Sequence, residues 1–273
     1  MRGFFLLLLA IALSGCADFF QQEIDSPDVD FERQLVLFTI LFPQDSLLFV
    51  DVRETAPVFG PRDPDRNYRH ILEGASVTID DGTTTHELTF LNENGQRGYA
   101  IRRDELRLEA GRSYTVTASS EDLVATGRAT IPTDTLSFDE ISLELETTQD
   151  GGFRERELTV SVPNRPGEED YYLLIHDRLS GGVSVQRELV DYVRGKEGLG
   201  ENLLFAPIFL IDGLVNTVNI CTTDKATYDY LFSRGTAFNN QENPFAEPTE
   251  IIGNVETGVG LVGAANCRKL VTF

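Results

Sequence analysis

Apolar and polar positions alternate along most of this chain with the period of two that β-strands impose. Leu35–Phe42 is apolar at nearly every position and predicts a strand covered on both faces. Pro43-Gln44-Asp45-Ser46 predicts a turn into a second apolar strand, Leu47–Arg53. Residues 56–70 hold three prolines, a glycine and several charges, and predict a loop. Further strands are predicted at Ala75–Asp80, His86–Leu91, Tyr99–Arg102, Ser113–Ala118 and Leu123–Ile131, where Pro132 stops the run. Asp81-Gly82 and Asn94-Gly95 supply hairpin turns, because glycine reaches the positive φ that a two-residue turn demands.

A second set of patterns begins after Pro132. Leu136–Leu145 and Arg156–Val162 alternate like strands of a half-exposed sheet, and Tyr171–Asp177 and Val183–Val190 are more apolar. Leu203–Ile211 is interrupted by Pro207, which predicts a bulge or an edge. With the turn Asp212-Gly213 and the strand Val215–Cys221, residues 203–221 read as a hairpin. Thr223–Phe238 is the one helix the pattern supports. Thr222, Thr223 or Asp224 can cap it, Ala226, Tyr230 and Leu231 fall at helical spacing beside Tyr228 and Phe232, and Gly235 is placed to end it. The aromatic stripe is read as packing against a sheet. Lys269–Phe273 predicts a closing strand.

Many short strands with turn chemistry between them argue for a mostly β protein of antiparallel sandwiches. The predicted organisation is a sandwich over residues 34–132 followed by a second antiparallel β domain over 133–273, which carries the helix near 223–238.

The N-terminus differs in kind. Arg2 precedes the apolar stretch Phe4–Leu13, and Leu13-Ser14-Gly15-Cys16 follows. A charged start, a short apolar core and small residues before a cysteine describe an export signal with a lipobox. The stretch is shorter than the ~20 residues a permanent membrane span needs. Residues 1–15 are therefore expected to be removed, with Cys16 lipidated as the first mature residue. Two or more acyl chains at ~0.8 kcal/mol per buried methylene hold a protein stably on a membrane. Residues 16–33 are acidic and read as a tether.

The chain has 273 residues and a net charge of −21, from 44 acids against 23 bases. That balance opposes nucleic acid and anionic head groups. Export also frames the cysteines. With Cys16 consumed by lipid, Cys221 and Cys267 remain. In an oxidising compartment they form either a disulfide or two buried thiols, and the bridge is favoured.

Catalytic signals are sparse. His70, His86 and His176 are far apart, and no metalloprotease pair, nucleophile elbow, phosphate loop, dinucleotide fingerprint or zinc-spaced cysteines occur. The acid groups Asp80-Asp81, Asp63-Pro64-Asp65 and Glu168-Glu169-Asp170 are read as solvated turns rather than calcium or glycosidase sites. The chain is expected to be no enzyme and to need no cofactor or metal.

The most specific constellation is C-terminal. Asn243-Pro244-Phe245-Ala246-Glu247-Pro248 forms a rigid turn, then Asn254, Gly258, Gly260 and Gly263 punctuate an apolar run. Glycine inside a strand marks a bulge or a close approach of another backbone. Two readings stand: a tightly packed closing strand, or a docking edge for another protein.

These residues resemble the C-terminal signature of the Bacteroidota outer-membrane lipoprotein family known as domain of unknown function 4249. Residues 243–248 match its turn, and Asn254, Gly258, Gly260 and Gly263 match its closing strand, while Val262 stands where the family usually has Phe. Ala75-Ser76-Val77, Asp80-Asp81-Gly82, residues 110–114, 129–132 and Asp170-Tyr171-Tyr172 agree as well. The resemblance implies an immunoglobulin-like first half, an outer-membrane position facing the cell exterior, and an accessory or substrate-binding role beside a TonB-dependent transporter. It carries over no catalytic residues. The alternative is a structural or adhesion lipoprotein with immunoglobulin-like domains. The lipobox is directly testable. Cys16→Ser should release the protein from the membrane and abolish incorporation of a fatty-acid analogue, whereas labelling that persists in the variant would refute lipidation at Cys16.

Overall fold

The structure, a computed structural model, describes residues 31–57, 71–93, 96–133, 136–150, 153–165, 170–180, 183–195, 200–240, 246–247 and 249–272. Two units are distinguished, Met1–Arg33 with Ala56–Asn67, and Gln34–Thr55 with Tyr68–Phe273. The described residues of the first unit carry no regular structure. Every element below belongs to the second. Cys16 and the predicted signal and most of the tether lie outside the described residues, as do Asn243, Pro244, Phe245 and Pro248.

The chain is mostly β, and the described residues form several sheets with one α-helix. Its first part is a sandwich. One layer contains β1 (Leu35–Leu41), β2 (Leu47–Glu54), β6 (Gln96–Arg102) and β5 (Thr89–Glu93). The other contains β3 (Ser76–Asp80), β4 (Thr85–Glu87), β7 (Ser113–Ser120) and β8 (Leu123–Thr130). Alternation decides what they bury. Leu35, Leu37, Thr39 and Leu41 point inward from β1, and Val77, Ile79, Tyr114, Val116 and Ile131 meet them from the opposite layer. Buried Thr39 is satisfied by donating to the Phe49 carbonyl at 2.7 Å. Tyr114 sits near the start of β7, and its hydroxyl accepts the Glu109 N–H at 2.8 Å. A tyrosine reaching back to upstream backbone is also found in immunoglobulin-like sandwiches.

The predicted strand His86–Leu91 is in fact two strands. Leu88 divides them and donates its N–H to Val77 at 2.9 Å, so β4 pairs with β3 while β5 crosses to pair with β6. The chain thereby changes layers within one short segment.

The second part has three layers. Its central strands are β11 (Tyr171–Ser180), β12 (Val183–Arg194), β15 (Val215–Thr223) and β17 (Val259–Thr272). One face is covered by β9 (Ser142–Asp150), β10 (Phe153–Pro163), β13 (Asn202–Leu204) and β14 (Ile208–Leu210). Tyr172, Leu174, Val218 and Ile220 face that sheet across Leu158, Val160 and Phe205. The other face takes α1 (Lys225–Asn240), where Leu173, Ile175, Cys221 and Ala265 meet Leu231. Coverage on both faces explains why residues 171–175 are apolar without alternation.

Three sequence expectations are corrected here. The segment predicted as the strand Leu136–Leu145 begins with a short 3₁₀ turn, Phe138–Glu140, and extends only from Ser142. Residues 203–221 are no hairpin: β13 and β14 both pair with β10, whereas β15 pairs with β11 and β17. Pro207 lacks the N–H to continue a ladder, so the run breaks in two there. The helix runs through Gly235 rather than ending at it. A Cβ there would stand 2.6 Å from the Tyr192 hydroxyl, so the residue is small for packing. Asp224 is the cap, its carboxylate accepting the Thr227 N–H at 2.9 Å.

β17 joins the two parts. Its first six residues pair parallel with β1 (Val36↔Val259 to Leu41↔Ala264), and its remainder pairs antiparallel with β15 (Thr223↔Ala265 to Thr217↔Thr272). The result is one eight-stranded sheet in the order β12-β11-β15-β17-β1-β2-β6-β5. Just before it, β16 (Val255–Glu256) adds to β8 in the opposite layer.

The edge of residues 260–264 that faces away from β1 is satisfied residue by residue. The Asn254 N–H donates to Gly260 O at 3.2 Å. The Asn254 side chain accepts the Val262 N–H at 2.9 Å and donates to Val262 O at 2.8 Å and Arg128 O at 3.0 Å. Ala264 donates to Thr227 Oγ1 at 3.2 Å and accepts from Thr223 Oγ1 at 2.8 Å. One amide thus stands in for a missing strand.

The glycines complete the fit. Gly260 has φ +126°, and an added Cβ would collide with the Leu37 carbonyl. We expect Gly260→Ala to lose about 2–4 kcal/mol in urea unfolding, from backbone strain and overpacking together. Gly200→Ala, with nothing within 4 Å of a new Cβ, should stay within about 0.5 kcal/mol. Equal effects at both positions would refute this account of the glycine strand.

Candidate functional site

The structure separates the sequence-singled residues into three groups. Cys221 and Cys267 face each other across β15 and β17 and are joined in a disulfide, with Cα atoms 3.9 Å apart. The bridge spans 46 positions, a loop containing α1 and the return to β17. Cross-linking such a loop removes roughly 3–4 kcal/mol of denatured-chain entropy.

Asn254, Gly258, Gly260 and Gly263 form the second group, and their surroundings fit the tightly packed closing strand, the first of the two readings. Their neighbours belong to this same chain. A Cβ on Gly258 would lie 2.6 Å from Leu35 O, and one on Gly263 would strike Thr227 Oγ1. The strand is packed from both sides, so the close approach that the glycines signalled is internal. Glu247 is exposed.

The third group is the acids and histidines. Asp80 and Asp81 brace the hairpin turn between β3 and β4. Asp81 Oδ1 accepts the Thr83 and Thr84 N–H groups, each at 2.9 Å, and the Thr83 hydroxyl at 2.6 Å. These bonds hold its carboxyl down at about 2, with the Thr83 hydroxyl contributing most. His176 is buried on β11 with Nε2 3.0 Å from Asn216 Oδ1. Asn216 spends its amide N–H groups on the Ile211 and Leu214 carbonyls, both at 3.0 Å, so Oδ1 is an acceptor and His176 Nε2 carries the proton. Burial pulls the His176 pKa below its ordinary value. Among the described residues, no three His, Cys, Asp or Glu side chains assemble as a metal set.

The candidate site is elsewhere, on the outer face of the eight-stranded sheet beside α1. β1 presents Phe38 and Ile40 on that face, Phe42 follows just past its end, and β2 presents Leu47 and Phe49. None of these five is fully buried. They floor a hollow of about 310 Å³, flanked by two more of about 590 and 260 Å³. All three share Asp45 and Arg187.

Arg187 organises this surface. It projects from β12, half-exposed, and grips two carboxylates in a forked manner. Nε and Nη2 reach Asp177 of β11 at 2.8 and 3.3 Å, and Nη1 and Nη2 reach Asp45 of the β1–β2 turn at 2.6 and 3.1 Å. Asn219 Nδ2 adds a bond to Asp177 at 3.1 Å, and the guanidinium lies 5.6 Å from the Phe42 ring centroid. Burial alone would lower the Arg187 pKa, but the bonds to Asp177 and Asp45 outweigh it and raise the pKa above its ordinary value. The arginine is therefore a fixed clamp between the turn and the second half's strands. The hollow offers an aromatic floor and a charged rim, which is binding chemistry.

Sequence reasoning missed Arg187, Asp45, Asp177, Phe42 and Phe49. The available signal was that β1 is apolar at its even positions as well as its odd ones. That pattern predicts double coverage, whereas part of the second face is open.

The architecture defines a mostly β chain with an immunoglobulin-like sandwich and a second, helix-backed sheet. The profile of the family described as Domain of unknown function (DUF4249) matches residues 20–270, and the chain belongs to that family. No curated protein matches it.

His176 yields a pH prediction. Its folded pKa lies below the unfolded value of about 6.5, so below that pH the unfolded chain binds more protons. Stability should therefore fall as pH drops from about 6.5 toward the folded pKa. His176→Gln keeps a donor for Asn216 and should remove that component of the slope. Melting curves of both proteins across this range check it, and identical slopes would refute the buried neutral imidazole.

Proposed function

We propose that this protein is a lipid-anchored subunit at the outer membrane, facing the cell exterior, where it binds substrate for, or accompanies, a TonB-dependent transporter. It acts by binding rather than by catalysis. The observation that carries the reading is the set of hollows meeting at Asp45 and Arg187. Strands distant in sequence build them, and they offer a recognition surface held rigid by a charged clamp. The lipobox at Cys16 supports the anchored position, and the family match begins just beyond it, at residue 20. A net charge of −21 favours a protein partner over nucleic acid.

The sandwich layers also favour a second reading, a structural or adhesion lipoprotein with no transport role. Native copurification from outer membranes in mild detergent separates the two. A TonB-dependent barrel is expected at near-stoichiometric yield with the wild-type chain. A chain that elutes alone while the barrel is intact supports adhesion. In the transport reading, Phe42→Ser with Phe49→Ser should lower uptake of the barrel's cargo by about tenfold without loss of copurification or anchoring. Unchanged uptake would remove the hollow from the mechanism.

A further inference from the structure

The covering sheet of the second part ends at β9, and that end is unfinished. Among the described residues β9 pairs with β10 alone, so its other edge carries unpaired backbone groups. The register places Leu143 opposite Val160 and Leu145 opposite Leu158. Directly opposed residues point to the same face, so both leucines lie on the core side of the sheet. Yet Val160 and Leu158 are buried, at 0 % and 1 % exposure, while Leu143 and Leu145 are 43 % and 45 % exposed. The core face thus extends one strand further than its cover.

The alternate positions of β9 carry charge. Glu144 and Glu146 are exposed on the outward face, and Glu146 stands directly opposite Glu157 of β10. Like charges opposed across a strand pair destabilise it. None of the three has an ion-pair partner among the described residues. Edges are commonly blunted by charged side chains, above all lysine, by proline or by a bulge. From Leu143 to Glu146, β9 instead alternates apolar and acidic side chains beside an open ladder.

We propose that β9 is the docking edge for an extended segment of a partner polypeptide whose side chains alternate apolar and basic. The segment adds as a strand beside β9. Its apolar positions cover Leu143 and Leu145, and its basic positions meet Glu144 and Glu146 and relieve the Glu146–Glu157 opposition. Main-chain bonds supply affinity and alternation supplies specificity. A second copy of this chain is the wrong occupant, because pairing β9 with itself brings glutamates together on two chains of charge −21. The proposal is independent of what occupies the hollows at Arg187.

The probe is a nine-residue synthetic peptide of alternating valine and lysine, compared with a peptide of the same composition in separate valine and lysine blocks. Both are added to the purified lipoprotein in neutral detergent at about 0.15 M salt, which screens diffuse attraction. The readout is amide hydrogen exchange across residues 142–150. The alternating peptide should slow exchange there by about tenfold and the block peptide should not. Glu144→Lys with Glu146→Lys, at exposed positions, should leave melting unchanged. It should abolish the response to the valine–lysine peptide and create one to an alternating valine–glutamate peptide. Equal protection by the block peptide, or protection absent from β9, would overturn the proposal. So would a charge-reversed variant that still responds to the lysine peptide. Protection of β9 that rises with protein concentration alone would make a second copy the occupant and overturn it equally.

Discussion

Everything in this fold depends on the parallel pairing of β17 with β1. The two strands are separated by more than two hundred residues, yet six consecutive pairs join them. Closing so long a loop costs little more than closing a short one, because the entropy grows only with the logarithm of its length. What must be supplied is a close, fully satisfied contact. The glycines allow the backbones to approach, and Asn254 occupies the hydrogen-bonding groups on the far edge. Leu261 to Ala265 become fully buried as a result, and Val262 and Ala264 enter the core of the first sandwich. The closing strand of the second part is therefore a working strand of the first.

That junction also creates the surface that holds the hollows. Once β17 joins β1 to β15, the outer faces of β1, β2, β11 and β12 share one sheet. The helix covers part of this face, and Phe38 still packs against Tyr230 with ring centroids 5.7 Å apart. Beyond the helix the aromatic floor is open. Arg187 ties the β1–β2 turn to β11 across this gap, so the hollow keeps its shape without a ligand. The disulfide Cys221–Cys267 fixes the neighbouring pair of strands. Rigidity of this kind lowers the ordering cost of binding.

The acidic surplus is used locally in several ways. Asp81 stabilises a hairpin turn, and Asp45 and Asp177 hold the clamp. Asp224 caps the helix from a half-buried position: desolvation raises its pKa, against the bonds from Thr227 that favour the carboxylate. Glu144, Glu146 and Glu157 serve no such internal purpose. Their contrast with the employed acids is what makes the β9 edge distinctive.

Strand positions, the helix and the layered β class were legible in the sequence, because they rest on local periodicity and turn residues that short windows contain. Asp81-Gly82 turns where expected, and β7 alternates as read. The unusual glycines near the C-terminus were legible as a close backbone approach, but not as an approach to β1. Local pattern could not show that β4 and β5 part at Leu88, that β14 and β15 diverge into different sheets, or that Gly235 makes room for Tyr192. Nor could it reveal the clamp, since Asp45, Asp177 and Arg187 stand on three separate elements and meet only after the sheet is assembled. Hydrophobic period reports which side of a strand is apolar. Which neighbour covers that side, and where cover runs out, is set by long-range register, and that is decided only when the whole chain packs.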